Sequence, residues 1–163
     1  MAGIPLYRTP IDAQWIDYNG HLRDAYYGLI VSLATDALME RIGLDAAYRA
    51  RTRCTLYTVE LHLHFLHEIK QSDTAQVLLR LLGSDAKRIH AALEITRAAD
   101  PGSVAAGAEV VLLHVRQDDD AVRTVAFPPQ VSAALAQLGA ASAAFPAGAP
   151  GSRRLELRAR RTP

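Results

Sequence analysis

The sequence predicts an α+β fold in which an antiparallel sheet of about five strands is wrapped around one long helix. Over residues 23 to 42, Leu29, Ile30, Leu33, Ala34, Ala37, Leu38 and Ile42 recur at steps of three and four, the apolar stripe of an amphipathic helix. From Cys54 the pattern changes to four β-like runs, Thr55 to Leu66, Ala75 to Leu82, Arg88 to Arg97 and Val104 to Val115. Short polar links join them, so successive strands must run antiparallel, and a helix followed by such a run of strands is an α+β pattern.

Taken in order, residues 4 to 12 alternate weakly and contain Pro5 and Pro10, which suits a short edge strand. The next stretch, Trp15 to Tyr27, concentrates ionisable and aromatic side chains just before the helix. Asn19-Gly20 signals a turn, which brings Asp17 and His21 to the same end of the helix downstream. Asp24 stands in or beside the first helical turn, where the dipole favours a negative charge, and Gly43 ends the pattern. The helix start therefore aims its unpaired backbone N–H groups back at the loop that carries Asp17. Asp45 to Arg53 reads as a polar, Arg-rich connection.

Along the first long strand, Tyr57, Val59, Leu61, Leu63 and Phe65 are expected to cover the helix, while Thr58, Glu60, His62 and His64 take the other face. That polar face must meet solvent or a second subunit. The links at 71–73, 83–86 and 100–102 hold Ser, Gly, Asp and Pro, as hairpin turns do. Residues 129 to 138 form a short closing helix after Pro128-Pro129. One domain over residues 1–138 is expected, followed at 139–163 by an Ala/Pro/Gly-rich and then basic tail, from Arg153 to Arg161, that is loosely ordered.

With 163 residues the chain can bury one sizeable core. Its formal net charge of +1 supplies no field to draw nucleic acid or a membrane. The single cysteine, Cys54, excludes an internal disulfide and fits a reducing compartment. Pro5, Arg8, Pro10 and Asp12 break up any leader-like opening, and the run Leu29 to Ala34 is too short to span a bilayer. The expectation is a soluble, cytoplasmic protein.

The Trp15 to Tyr27 stretch carries the candidate chemistry. A carboxylate at Asp17 facing free helix amides is a workable acyl-transfer site, as nucleophile or as general base; the plain alternative is a turn or capping Asp. His21 either orients the loop or hydrogen-bonds a substrate carbonyl or Asp17. Asn19 and Gly20 make the turn, and Asn19 stands beside the carboxylate in the catalytic set. Glu60 and His62 have a spacing that would also suit a metal, but no further ligand cluster accompanies them, so no metal is expected; they either face solvent or line an interface opposite Asp17 of a partner subunit, where Glu60 joins the catalytic set. Trp15, Tyr18, Tyr26 and Tyr27 gather rings in a chain that is only 6% aromatic, as packing or as a binding surface. Lys87 and Arg88 sit at a hairpin turn, where basic groups are either solvated or bind phosphate.

Asp17-Tyr18-Asn19-Gly20-His21-Leu22, the following Ala25-Tyr26-Tyr27, the helix ending at Gly43 and Val59-Glu60-Leu61-His62 together resemble the hotdog-fold acyl-CoA thioesterases of the 4-hydroxybenzoyl-CoA thioesterase type. The similarity runs over about residues 5 to 138. The whole string from Trp15 to Tyr27 is similar to the branch that acts on betainyl-CoA and is linked to carnitine dehydrogenase. The resemblance implies a homodimer or homotetramer with sites at subunit interfaces, and a catalytic carboxylate at the position of Asp17. Helix-start amides polarise the thioester carbonyl, and no cofactor is needed besides the CoA of the substrate. It further implies that Lys87 and Arg88 meet CoA phosphates, and that Trp15, Tyr18, Tyr26 and Tyr27, with Gly20 and His62 nearby, bind an acyl group that carries a trimethylammonium.

One departure stands out: many relatives carry Asn after the Gly-His-apolar step, where this chain has Arg23 and Asp24. Hotdog hydratases use a related loop, but their Asp-x-Asn-Pro-x-His pattern is not met, since Gly20 replaces the proline and His21 comes one step early. A non-catalytic acyl-CoA-binding module is the third possibility.

Overall fold

A computed structural model describes residues 3–119 and 121–145. The elements in order are β1 (Ile4–Pro10), a 3₁₀ turn (Ala13–Trp15), α1 (Asp24–Arg41), α2 (Ala46–Thr52), β2 (Cys54–Phe65), β3 (Thr74–Ser84), β4 (Arg88–Arg97), β5 (Asp100–Gln117), β6 (Val122–Thr124) and α3 (Pro129–Ser142). The sheet is antiparallel in the order β1-β3-β4-β5-β2, and β6 pairs with the end of β5. The α+β, hotdog-like expectation therefore holds, with six strands among the described residues. No described helix is long and apolar enough to cross a membrane.

The core lies between one face of the sheet and the helices. Tyr27, Ile30, Val31, Ala34, Thr35, Leu38 and Met39 are the buried side of α1, at the three- and four-residue spacing of one helical face. The buried stripe is rotated from the one expected: Leu29 is exposed, and Leu33 and Ala37 are half-buried on the flank. Alternate residues of β3, β4 and β5 meet this face, among them Val77, Leu79, Ile89, Leu93, Ala108 and Val110, and Val131, Leu135 and Leu138 of α3 complete the cluster. Gly43, at φ +85°, ends α1, and the Leu44 N–H returns to the Met39 carbonyl at 2.8 Å.

Three expectations change. Asp45 to Arg53 is not a bare connection but holds α2, whose first turn is capped by the Asp45 carboxylate accepting the Tyr48 N–H at 2.7 Å. Strand β2 does not keep one phase: Thr58 pairs with Leu112 and Glu60 with Val111, so Val59 is left over as a bulge. Before it Cys54 and Leu56 point inward and Tyr57 is exposed; after it Leu63 packs on the core and Phe65 meets Tyr27. Tyr57, Val59 and Leu61 are thus not core residues. Finally, the closing helix runs past 138, because α3 continues to Ser142, whose hydroxyl accepts the Leu81 N–H at 2.9 Å. The basic run from Arg153 to Arg161 lies outside the described residues.

Far from the Trp15 to Tyr27 loop, α2, β5 and the chain after β6 are pinned by buried His114. Its Nε2 pairs with the Tyr48 hydroxyl at 3.2 Å, its Nδ1 with the Val125 carbonyl at 3.1 Å, and its ring stacks on Phe127. Burial holds the His114 pKa below the ordinary histidine range despite its backbone hydrogen bonds.

Candidate active site

The chain between the 3₁₀ turn and α1 forms a tight loop closed by a bridge between Ile16 and Leu22. Inside it the Asp17 N–H donates to the His21 carbonyl (2.8 Å) and the Gly20 N–H to the Asp17 carbonyl (3.1 Å). Gly20 turns the chain at φ +82°, a left-handed conformation that suits glycine. This geometry folds two amides onto one carboxylate oxygen. Asp17 Oδ1 accepts the Asn19 N–H at 2.8 Å and the His21 N–H at 3.2 Å, whereas Oδ2 has only the Asn19 side-chain amide at 3.5 Å. The His21 amide, aided by Asn19, lowers the Asp17 pKa against an opposing desolvation. The carboxylate is therefore ionised at neutral pH, with Oδ1 engaged and Oδ2 the oxygen left for chemistry.

A second segment, Leu66 to Lys70, docks on this loop. The Leu66 and His67 amides donate to the Ala105 carbonyl at 2.9 and 3.0 Å, the Leu22 N–H reaches the Ile69 carbonyl at 2.7 Å, and His21 bridges to Lys70. His21 Nε2 consequently lies 2.9 Å from Glu68 Oε2; its ring is turned to Glu68, and its backbone N–H serves Asp17.

Arg23 stands at the N-cap of α1 without a side-chain capping bond, and Asp24 Oδ1 accepts the Ala25 N–H at 2.8 Å. The loop, the first turn of α1 and the end of β2 enclose a cavity of about 520 Å³. Its walls are Asp17, Tyr18, His21, Leu22, Arg23 and Asp24 on one side and Tyr27, Phe65, Leu66, His67 and Glu68 on the other. A carboxylate and a helix N-terminus on one cavity give an acid oxygen and a source of N–H dipoles for a carbonyl oxygen.

Of the residues expected at a site, Asp17, Tyr18, His21 and Tyr27 meet here. Tyr18 is 94% exposed, while Tyr27 is buried and set edge-on to Phe65 with centroids 5.2 Å apart. Burial raises the Tyr27 pKa, so its phenol stays protonated. Asn19 and Gly20 shape the loop without lining the cavity, and Gly20 instead borders a shallow depression with Lys70, Gln71 and Ser72.

The rest are not brought together. Trp15 and Tyr26 stack on each other at 5.6 Å and pack against the core, so neither lines the cavity. Glu60 and His62 lie back along β2, Glu60 about 16 Å from the Phe65 end at the rise of a strand. Past the bulge the strand alternates regularly, so both point to the face opposite the one that Leu63 and Phe65 share. Among the described residues, no group of three or more His, Cys, Asp or Glu side chains could hold a metal ion. Arg88 pairs with Leu113, which pairs with Tyr57, so Lys87 and Arg88 stand about 26 Å along the sheet from the cavity of their own chain. Arg88 is engaged by Asp85, whose pKa it helps to lower to about 2, and Lys87 Nζ reaches Thr124 at 3.4 Å.

Phe65, Leu66, His67 and Glu68 join the site without being marked for it by the sequence. Phe65 carries a signal as the last apolar residue of the strand alternation. Glu68 carries none, because only the pairing of His21 with Lys70 brings it in.

The model of the thioesterase-like superfamily matches residues 11–135. The chain is 45% identical over 142 residues to the betainyl-CoA thioesterase of Pseudomonas aeruginosa PAO1, covering 86% of each chain. It is 43% identical over 138 residues to the L-carnitine dehydrogenase/betainyl-CoA thioesterase of Agrobacterium fabrum, covering 83% of this chain and 27% of that larger protein. Among solved structures, a Pseudomonas putida KT2440 protein assigned as a thioesterase superposes with a TM-score of 0.82 at 38% identity, over 98% of this chain and 99% of that one. A Staphylococcus aureus protein in complex with CoA superposes with a TM-score of 0.82 at 25% identity, over 97% of this chain and 98% of its own.

Proposed function

We propose, from the premise that this chain belongs to the thioesterase-like superfamily and is a thioester hydrolase, that it cleaves a short acyl-CoA, betainyl-CoA, to glycine betaine and free CoA. The observation that carries the mechanism is the ionised Asp17 carboxylate, its Oδ2 met only by the Asn19 side-chain amide at 3.5 Å, on the same cavity as the start of α1. The thioester carbonyl sits with its oxygen toward the N-terminus of α1, whose dipole stabilises the charge that develops there. Asp17 Oδ2 attacks the carbonyl carbon, the C–S bond breaks, and CoA leaves as the thiolate and takes up a proton. Water then hydrolyses the mixed anhydride and regenerates the carboxylate. An Asp17 oxygen on the cavity wall with only a long contact on it can reach the carbonyl carbon directly, which supports attack. The choice of acyl group is supported by the two relatives named for betainyl-CoA.

The same reading includes a homo-oligomer. Strand β2 is a sheet edge, and Val59 and Leu61 are exposed along it, which supports pairing with a second copy.

The test is thiol release from betainyl-, acetyl-, butyryl-, decanoyl- and 4-hydroxybenzoyl-CoA. Preference for betainyl-CoA by kcat/KM is the expected result; preference for a neutral aliphatic ester would overturn the acyl assignment, and no thiol release from any ester would overturn the function.

A further inference from the structure

We propose that Glu68, with the rings of Phe65 and Tyr27, is the subsite that selects a quaternary ammonium on the acyl group. This rests on the acyl assignment above. A trimethylammonium has no N–H to donate, so it is recognised by net charge and by aromatic surface rather than by hydrogen bonds. The far wall of the cavity offers both.

Glu68 is the carboxylate of this cavity that the chemistry leaves unassigned. Asp17 is committed to the reacting carbonyl, and Asp24 is bonded to the Ala25 N–H at the helix start. Glu68 is 66% exposed and takes His21 Nε2 at 2.9 Å. That contact orients the Glu68 carboxylate on the wall. The segment is held by the Leu66 and His67 bonds to Ala105 and by the bridge from His21 to Lys70, so the charge stands at a fixed place on the wall. Among the described residues Arg23 is the only lysine or arginine on the lining, against Asp17, Asp24 and Glu68, so the walls favour a cationic over an anionic acyl group.

Distance sets a further condition. In a betainyl thioester the nitrogen is two bonds from the carbonyl carbon, about 2.5 Å, so its subsite must adjoin Asp17 directly. His21 borders both groups, its backbone N–H on Asp17 and its ring on Glu68, so the two carboxylates lie around one side chain on the same cavity. Phe65 presents a ring that is 54% exposed, braced edge-on by buried Tyr27, and can meet the methyl groups with its face. Trp15 and Tyr26, stacked on each other away from the cavity, have no part in it.

The experiment compares betainyl-CoA with 3,3-dimethylbutanoyl-CoA, the neutral isostere with carbon in place of nitrogen, in wild type, Glu68→Gln and Phe65→Leu. Gln keeps an acceptor for His21 and removes only the charge. The expected result is a wild-type preference for betainyl-CoA over the neutral ester, read as the ratio of the two kcat/KM values, that falls about tenfold or more in Glu68→Gln and about threefold in Phe65→Leu. An unchanged preference in Glu68→Gln overturns the subsite while leaving betainyl-CoA as substrate. Equal losses on both esters overturn it as well, since Glu68 would then only position His21. Absence of any preference in wild type instead overturns the acyl assignment itself, and the subsite with it.

Discussion

Substituting Gly20 by alanine perturbs the catalytic loop through the backbone alone. A Cβ built at Gly20 meets nothing within 4 Å, so no steric clash enters. The cost comes from φ +82°, where an L-residue is disfavoured by about 1–2 kcal/mol. Relief requires the loop to change shape, and the bonds most exposed to that change are those from the Asn19 and His21 amides to Asp17 Oδ1. If the penalty falls on the productive loop geometry, kcat/KM drops about 5- to 30-fold, at 1.36 kcal/mol per factor of ten. Gly20→Asn is milder, within about threefold, because asparagine tolerates left-handed backbone. The carboxylate supplies a second signature. Released from its amide donors, Asp17 returns toward the ordinary carboxylate range, so the acid limb of the pH–rate profile moves to higher pH in Gly20→Ala. Thiol release across pH 3 to 7 together with Tm measures both effects. Full activity with an unshifted acid limb, even with a lowered Tm, would refute the idea that this turn serves the chemistry.

Ser142→Ala strands the Leu81 N–H at the β3 irregularity and costs about 1–2 kcal/mol, read as a Tm lowered by roughly 2–8 °C with little change in kcat. His114 is held neutral by burial, so the unfolded chain takes up its proton first and stability falls as pH drops below about 6.5. His114→Gln lowers Tm at pH 7, and its deficit against wild type narrows as pH falls to 5; a constant gap would deny the burial effect. Leu61→Lys charges the exposed edge of β2 and, if that edge pairs with a second copy, shifts the protein to monomer in sedimentation with loss of activity.

What the sequence made legible was local. Asp24 and Gly43 punctuate α1, and β4 begins and ends where its β-like run does, because turn and cap residues act over a few positions. The bulge at Val59 left no trace because Tyr57, Val59 and Leu61 continue one apolar alternation straight across it. Helix α2 was hidden by its seven residues, too few for a periodicity, although Asp45 was a capping signal. Within the site, Asp17, Tyr18, His21 and Tyr27 were legible because one loop and one helical turn carry them all. Phe65 and Glu68 arrive through long-range pairing, and Trp15 with Tyr26 shows that rings close in sequence can satisfy each other rather than a ligand.

The central claim, that the Asp17 carboxylate cleaves the thioester, is tested most directly by thiol release from betainyl-CoA in Asp17→Asn. The amide keeps an oxygen for the Asn19 and His21 donors but no longer supplies a charged oxygen for attack. The account predicts a loss of about 10²-fold or more in kcat with an unaltered fold by circular dichroism. Turnover within a few-fold of wild type would contradict it.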